Sequence, residues 1–381
     1  MPNDYVTERL NLRHASIRND LPPWIWLYEL RPPGPVEALS CAAGGLEYAR
    51  LMYAAANPET PFNDAHLFDT LISHGDTEAA CAAALIGMNS VLEAGNDFRE
   101  FNTWLIRIDS LITRPELSAH GRGALLIQTA IAQLLGPGQL DDTLVTLEAL
   151  EDAAEAAGSD AQRIIHASLR GYCELMSGRL KVADAIVRDA AYISPEPEIN
   201  LIPKIHLQAS LGLINTIRNN LCDARECLNT LISSPAFDRL PSPLWLLSMG
   251  HRLLSLAVAN DQPAELEAIA DRIRAHSIPS HKHYHRSYTH YALGAAELLT
   301  SHPEAALFHA ETAIQMAKRC YSAVAERTSS LLAIQALADL GQHEHALNWL
   351  AASVDGWNKA GAHLLTASGA LEEAQLYLEL G

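Results

Sequence analysis

"AQRIIHASLRGYCELMSGRLKVADAIVRDAAYISP", residues 161–195, decides how the rest of the 381-residue chain is read. Gly171 falls seven residues before Gly178, and Ala183, Val187, Ala190 and Pro195 follow. Apolar residues recur at helical spacing on both sides of Gly178, so the segment reads as two helices joined by a glycine turn. Small side chains at positions 171, 183 and 190 let those helices cross closely.

The same frame returns along the chain. One unit carries Gly212, Asn219, Ala224 and Leu228. Another carries Gly294, Ser301, Ala306, Ala310 and Ala313, and a later one Gly341, Ala346 and Leu350. Turn-like punctuation repeats with it: "EAGND" at 93–97, "LGPGQ" at 135–139, "MSGRL" at 176–180, "IRNNL" at 217–221, "VANDQ" at 258–262, "LTSHP" at 299–303 and "DLGQH" at 339–343. The turns recur about every forty residues, the mark of stacked helical hairpins that cannot bury their apolar faces alone. No convincing strand pattern appears.

These residues resemble the tetratricopeptide repeat, with its small crossing residue, turn glycine, small packing residues and closing proline. Ordinary units of that family have thirty-four residues, whereas these recur at about forty-one. The longer unit is similar to those in the superhelical sensor arms of maltose-activator-type regulators of the STAND class. The resemblance covers roughly residues 76–361. It implies an all-α, right-handed superhelix of stacked antiparallel helix pairs and a role in regulation.

The first thirty-five residues differ. "NDLPPWIWLYELRPPGP" has prolines at 22, 23, 32, 33 and 35, which rule out one continuous helix. Residues 1–35 read as a cap on the first hairpin, with Trp24 and Trp26 packed inward, and residues 36–381 as the repeat domain.

Composition narrows the function. The formal charge is −18 and no Lys/Arg run occurs, which argues against direct nucleic-acid binding. No apolar stretch is long enough to span a bilayer, and no secretion signal is visible. The six cysteines (Cys41, Cys81, Cys173, Cys222, Cys227, Cys320) are scattered in apolar contexts and read as small buried hydrophobes of a reducing compartment. The expectation is a soluble cytoplasmic protein. No cofactor motif is present: neither a phosphate-binding G-x-x-x-x-G-K-[ST] loop nor a G-x-S-x-G elbow occurs. Asp141 and Asp142 resemble a magnesium-holding acidic motif, but Val145 stands where a third carboxylate is needed. The row Glu148, Glu151, Asp152, Glu155 has the spacing of a solvated face.

"HSIPSHKHYHRSYTHY", residues 276–291, is the densest cluster of functional side chains. With Ser280 as N-cap, a helix would place Tyr284, Tyr288 and Tyr291 on one face and His281 with His285 on another. The two histidines are half of a zinc site without further ligands, so no metal is expected. In the repeat frame Tyr288 and Tyr291 face the concave side. The equivalents are Ile165, Ser168, Tyr172 and Leu175 in one unit and His206, Ala209, Leu213 and Thr216 in the next. A concave surface bearing Tyr172, His206, Tyr284, Tyr288 and Tyr291 suits a peptide, a protein segment or a small effector. The expected function is a non-catalytic binding scaffold or sensor. The alternative is an all-helical enzyme, an α/α toroid with an active site of dispersed carboxylates and histidines.

Overall fold

The structure, a computed structural model, describes residues 65–193, 201–233, 237–240, 242–276 and 278–380. The proposed cap at residues 1–35, with Trp24 and Trp26, lies outside them, as do Cys41 and Pro195.

Among the described residues every regular element is helical. A short helix α1 (Ala65–Ser73) precedes seven hairpins: α2 (Thr77–Ala94) with α3 (Phe101–Ile112), α4 (Ala119–Leu135) with α5 (Leu140–Ala157), α6 (Asp160–Met176) with α7 (Leu180–Ala190), α8 (Leu201–Ile217) with α9 (Leu221–Ile232), α10 (Ser242–Ala259) with α11 (Pro263–Ala275), α12 (His283–Leu299) with α13 (Pro303–Cys320), and α14 (Ala323–Asp339) with α15 (His343–Lys359). Helix α16 (His363–Leu380) follows. The first helices of successive hairpins start forty to forty-two residues apart, which is the period read from the turns. No helix among the described residues is long and apolar enough to cross a membrane.

Each hairpin turns on one residue in the left-handed region. Gly95, Gly138, Gly178, Asn219, Asn260, Ser301 and Gly341 all have positive φ, a conformation that glycine adopts freely and asparagine tolerates. Small residues set the crossings. A Cβ on Gly171 would overlap Val187, and one on Gly212 would lie 2.6 Å from Leu228 Cγ. Ala183, Val187, Ala190, Ala224, Leu228, Ala306, Ala310, Ala313, Ala346 and Leu350 are all buried. The repeat register therefore holds, and the chain is an all-α solenoid of stacked hairpins.

First helices pack on first helices inside, and second helices lie outside. The solenoid coils tightly. Helix α2 meets α12, α4 meets α14, and α6 meets α16, each five hairpins further along. The second turn of the spiral thus sits directly on the first. Tyr284 N–H donates to Gly95 O at 2.7 Å, Ala323 N–H to Gly136 O at 3.0 Å, and Leu140 N–H to Ala360 O at 3.2 Å. Ser322 Oγ donates to Leu135 O at 2.8 Å. Arg327 donates to Gly138 O at 2.7 Å and Pro137 O at 2.8 Å. Phe98 packs on Tyr284 with ring centres 4.9 Å apart, and the Arg99 guanidinium lies 3.6 Å over the Tyr321 ring.

An open solenoid keeps its ends apart and a toroid seals them together; here α12, α14 and α16 pass α2, α4 and α6 one level up. The three turns covered by the second level are all glycines. A Cβ on Gly95 would overlap His285, and one on Gly138 would lie 2.8 Å from Arg327. Asn219, Asn260 and Ser301, like Gly341, stand at exposed turns.

Two expectations fail locally. Helix α12 begins at His283, with Lys282 rather than Ser280 at the N-cap position, because residues 279–282 are taken up by a turn closed from Lys282 N–H to Pro279 O. Cys222 is exposed in the first turn of α9, whereas Cys81, Cys173 and Cys320 are buried as the apolar contexts imply.

Candidate functional site

The inner helices enclose a narrow axis. Five helix axes in a ring about 9 Å apart lie on a circle of about 8 Å radius. Subtracting a helix half-width of about 5 Å leaves a bore of about 3 Å radius. At that curvature most inward positions close into core. Ile165, Ser168, Leu175, Ala209 and Thr216, expected on a concave surface, are each at most 4% exposed. Tyr172, His206 and Leu213 from the same frame keep partial exposure. Helix geometry of this kind leaves a narrow axial space between the inner helices, the lumen.

Four of the tyrosines singled out above meet there. Tyr172 comes from α6, and Tyr284, Tyr288 and Tyr291 from α12, three hairpins away and across the axis. Tyr288 and Tyr291 lie with ring centres 6.2 Å apart. A Cβ on Gly250 of α10 would stand 2.8 Å from the Tyr288 ring, so a missing side chain makes room for that ring. All four are half-buried, with ring faces packed on neighbouring core clusters. None of their hydroxyls makes a hydrogen bond among the described residues, and none is sealed from solvent. Burial pushes all four phenols above their usual range, and mutual proximity adds to this for Tyr172 and Tyr288. They are neutral hydrogen-bond donors at physiological pH.

Arg327 of α14 completes the cluster. It is half-buried and close enough to Tyr172 for the two to affect each other's titration. Its Nη atoms hold the carbonyls of Gly138 and Pro137, and no ion pair to it occurs among the described residues. Burial holds its pKa below the ordinary arginine value. Sequence reading missed this residue, because its carbonyl partners lie about 190 positions away.

His206 lies half-buried on α8 without a hydrogen bond among the described residues, and burial lowers it to about 4. His281 and His285 do not form a pair. His281 is exposed in the turn before α12. His285 is fully buried against Gly95, with neither ring nitrogen hydrogen-bonded among the described residues and its pKa lowered to about 3, chiefly by burial. No group of three or more His, Cys, Asp or Glu side chains able to hold a metal occurs among the described residues.

Compared with known proteins, the chain matches no family model and no curated sequence. Its site is therefore read from its own geometry.

Two further clusters belong to packing rather than to the lumen. His290 Nδ1 lies 2.9 Å from His309 Nδ1, an α12–α13 bond in which one neutral imidazole donates to the other. The acidic row of α5 is solvent-facing, with Glu151 paired to Arg170 at 3.0 Å.

Proposed function

We propose that the protein is a non-catalytic binding module whose lumen takes up a slender ligand, either a small organic effector or an extended peptide segment. One observation carries this reading. Four tyrosines from α6 and α12 gather near the axis, and none of their hydroxyls has a protein partner among the described residues. Hydroxyls that solvent reaches and no protein group holds are free to bond a ligand that displaces that water. Aromatic walls with a few polar groups are also the usual make-up of small-ligand sites.

The forty-one-residue period supports likeness to the sensor arms of maltose-activator-type regulators, and with it a sensing role. A ligand touching α6, α12 and α14 together would tie the two levels of the spiral and favour the stacked form. No nucleotide-binding loop occurs in the sequence, so any output of such sensing would pass through another chain or segment.

Ligand-observed NMR of a fragment library tests the reading, comparing the natural protein with the triple variant Tyr172→Phe, Tyr284→Phe, Tyr291→Phe. Phenylalanine keeps each ring and removes each hydroxyl. Fragments binding in the lumen should weaken about tenfold or more, with circular dichroism and melting temperature nearly unchanged. Fragment binding indifferent to the three substitutions would place the site elsewhere and refute the reading.

A further inference from the structure

We infer that the lumen selects organic anions: slender molecules with an apolar body and one carboxylate or phosphate group. This rests on the lumen being the binding site and adds the charge of what it binds.

The first support is the inventory of groups. Phenols that stay protonated donate well to anionic oxygens, and hydrogen bonds to a charged acceptor are roughly twice as strong as neutral ones. Tyr172, Tyr284, Tyr288 and Tyr291 offer four such donors, all without partners among the described residues. The second support is the guanidinium of Arg327. It spends its Nη groups on two backbone carbonyls, and its Nε–H makes no hydrogen bond among the described residues. Glu326, the adjacent residue, is near enough to act on it, but that carboxylate is paired with Lys318 at 3.5 Å and makes no ion pair with Arg327 among the described residues.

The third support is what stays away. Acidic residues outnumber basic ones by 45 to 27 in the chain, yet no carboxylate influences the titration of any of the four tyrosines. Glu174, two residues beyond Tyr172, is instead held by Arg179 and Arg170. A protein this acidic repels anions at its outer surface. A local positive field inside would reverse that only along the axis, where low dielectric magnifies it. A desolvated cation would meet aromatic faces there and be opposed by Arg327, while Glu326, the carboxylate that acts on Arg327, is already paired with Lys318.

Four matched probes test the inference by saturation-transfer NMR: 3-phenylpropionate, phenyl phosphate, 3-phenylpropan-1-ol and 3-phenylpropylamine. Both anions should titrate the natural protein, at least tenfold more tightly than the alcohol, and the amine should bind more weakly still. The preference for the anions over the alcohol should persist from 50 to 500 mM salt, because a buried charge is screened little. The triple phenylalanine variant should lose the anions about tenfold. Salt and probe comparisons need no variant, so a folding defect cannot mask the result. Hydroxyl-dependent binding in which the amine or alcohol equals the anions overturns the charge selectivity and leaves the lumen as the site. Failure of both anions to titrate, or anion binding indifferent to the hydroxyls, overturns the inference as a whole.

Discussion

Two glycines in first-helix and second-helix positions show how much one hydrogen atom decides. Gly171 faces Val187 so closely that a Cβ would overlap it, whereas a Cβ on Gly356, in the last turn of α15, meets nothing within 4 Å. Gly171→Leu should therefore destabilise the fold by about 1–3 kcal/mol or more through overpacking. Gly356→Ala should stabilise it by about 0.5–1 kcal/mol, because only the backbone entropy of glycine is removed. Urea unfolding of the two variants beside the natural protein checks both signs; a silent Gly171→Leu would break the register. Residue-scale signals of this kind were legible because a crossing glycine and its partner lie within one hairpin. Arg327 was not, since nothing near position 327 announces the carbonyls of residues 137 and 138.

At the scale of elements, hairpin boundaries followed from local chemistry, and all seven turn positions read from small, Gly or Asn residues hold a positive φ. The contact between levels did not follow. It depends on a small rotation per hairpin accumulated over five of them, and no single segment encodes that angle. Only afterwards does the distribution of glycine against Asn and Ser at the turns acquire meaning. Arg327 is the polar clamp of the middle contact. Arg327→Met would leave the Gly138 and Pro137 carbonyls without their charged donor, a loss of about 1.5–3 kcal/mol for a charge-assisted bond. Amide exchange at Ala323 and Leu140, whose N–H groups bond across the levels, should speed up by roughly one to two decades. Tyr284, bonded to Gly95 in a separate contact, should change less. Unaltered exchange at Ala323 and Leu140 would mean that apolar packing alone holds the levels together.

For the whole molecule the tight spiral has a consequence in pH. Burial lowers His206, His251 and His290 to about 4 and His285 to about 3, against about 6.5 in an unfolded chain. Between those values the unfolded state binds more protons than the folded one, so stability falls as the pH falls. The stabilising contribution is complete above about pH 6.5 and drains away toward pH 4 or below. Each histidine adds a slope of at most about 1.4 kcal/mol per pH unit, less for partly exposed His206, His251 and His290. Asp97, lowered chiefly by its hydrogen bond from Arg99, acts in the same direction at lower pH. Asp339 and Glu372, raised chiefly by burial, oppose it. The histidines outnumber these two and titrate first on the way down from neutrality, so they set the sign. His285 is the most demanding of them, being sealed between the levels without a hydrogen bond among the described residues. The urea midpoint should therefore drop steadily from pH 7.5 to pH 5, and His285→Gln, which cannot take up a proton, should flatten the slope even if it lowers the midpoint at pH 7.5. A midpoint constant over that range would show that these imidazoles reach water in the folded state, contrary to a closely wound spiral.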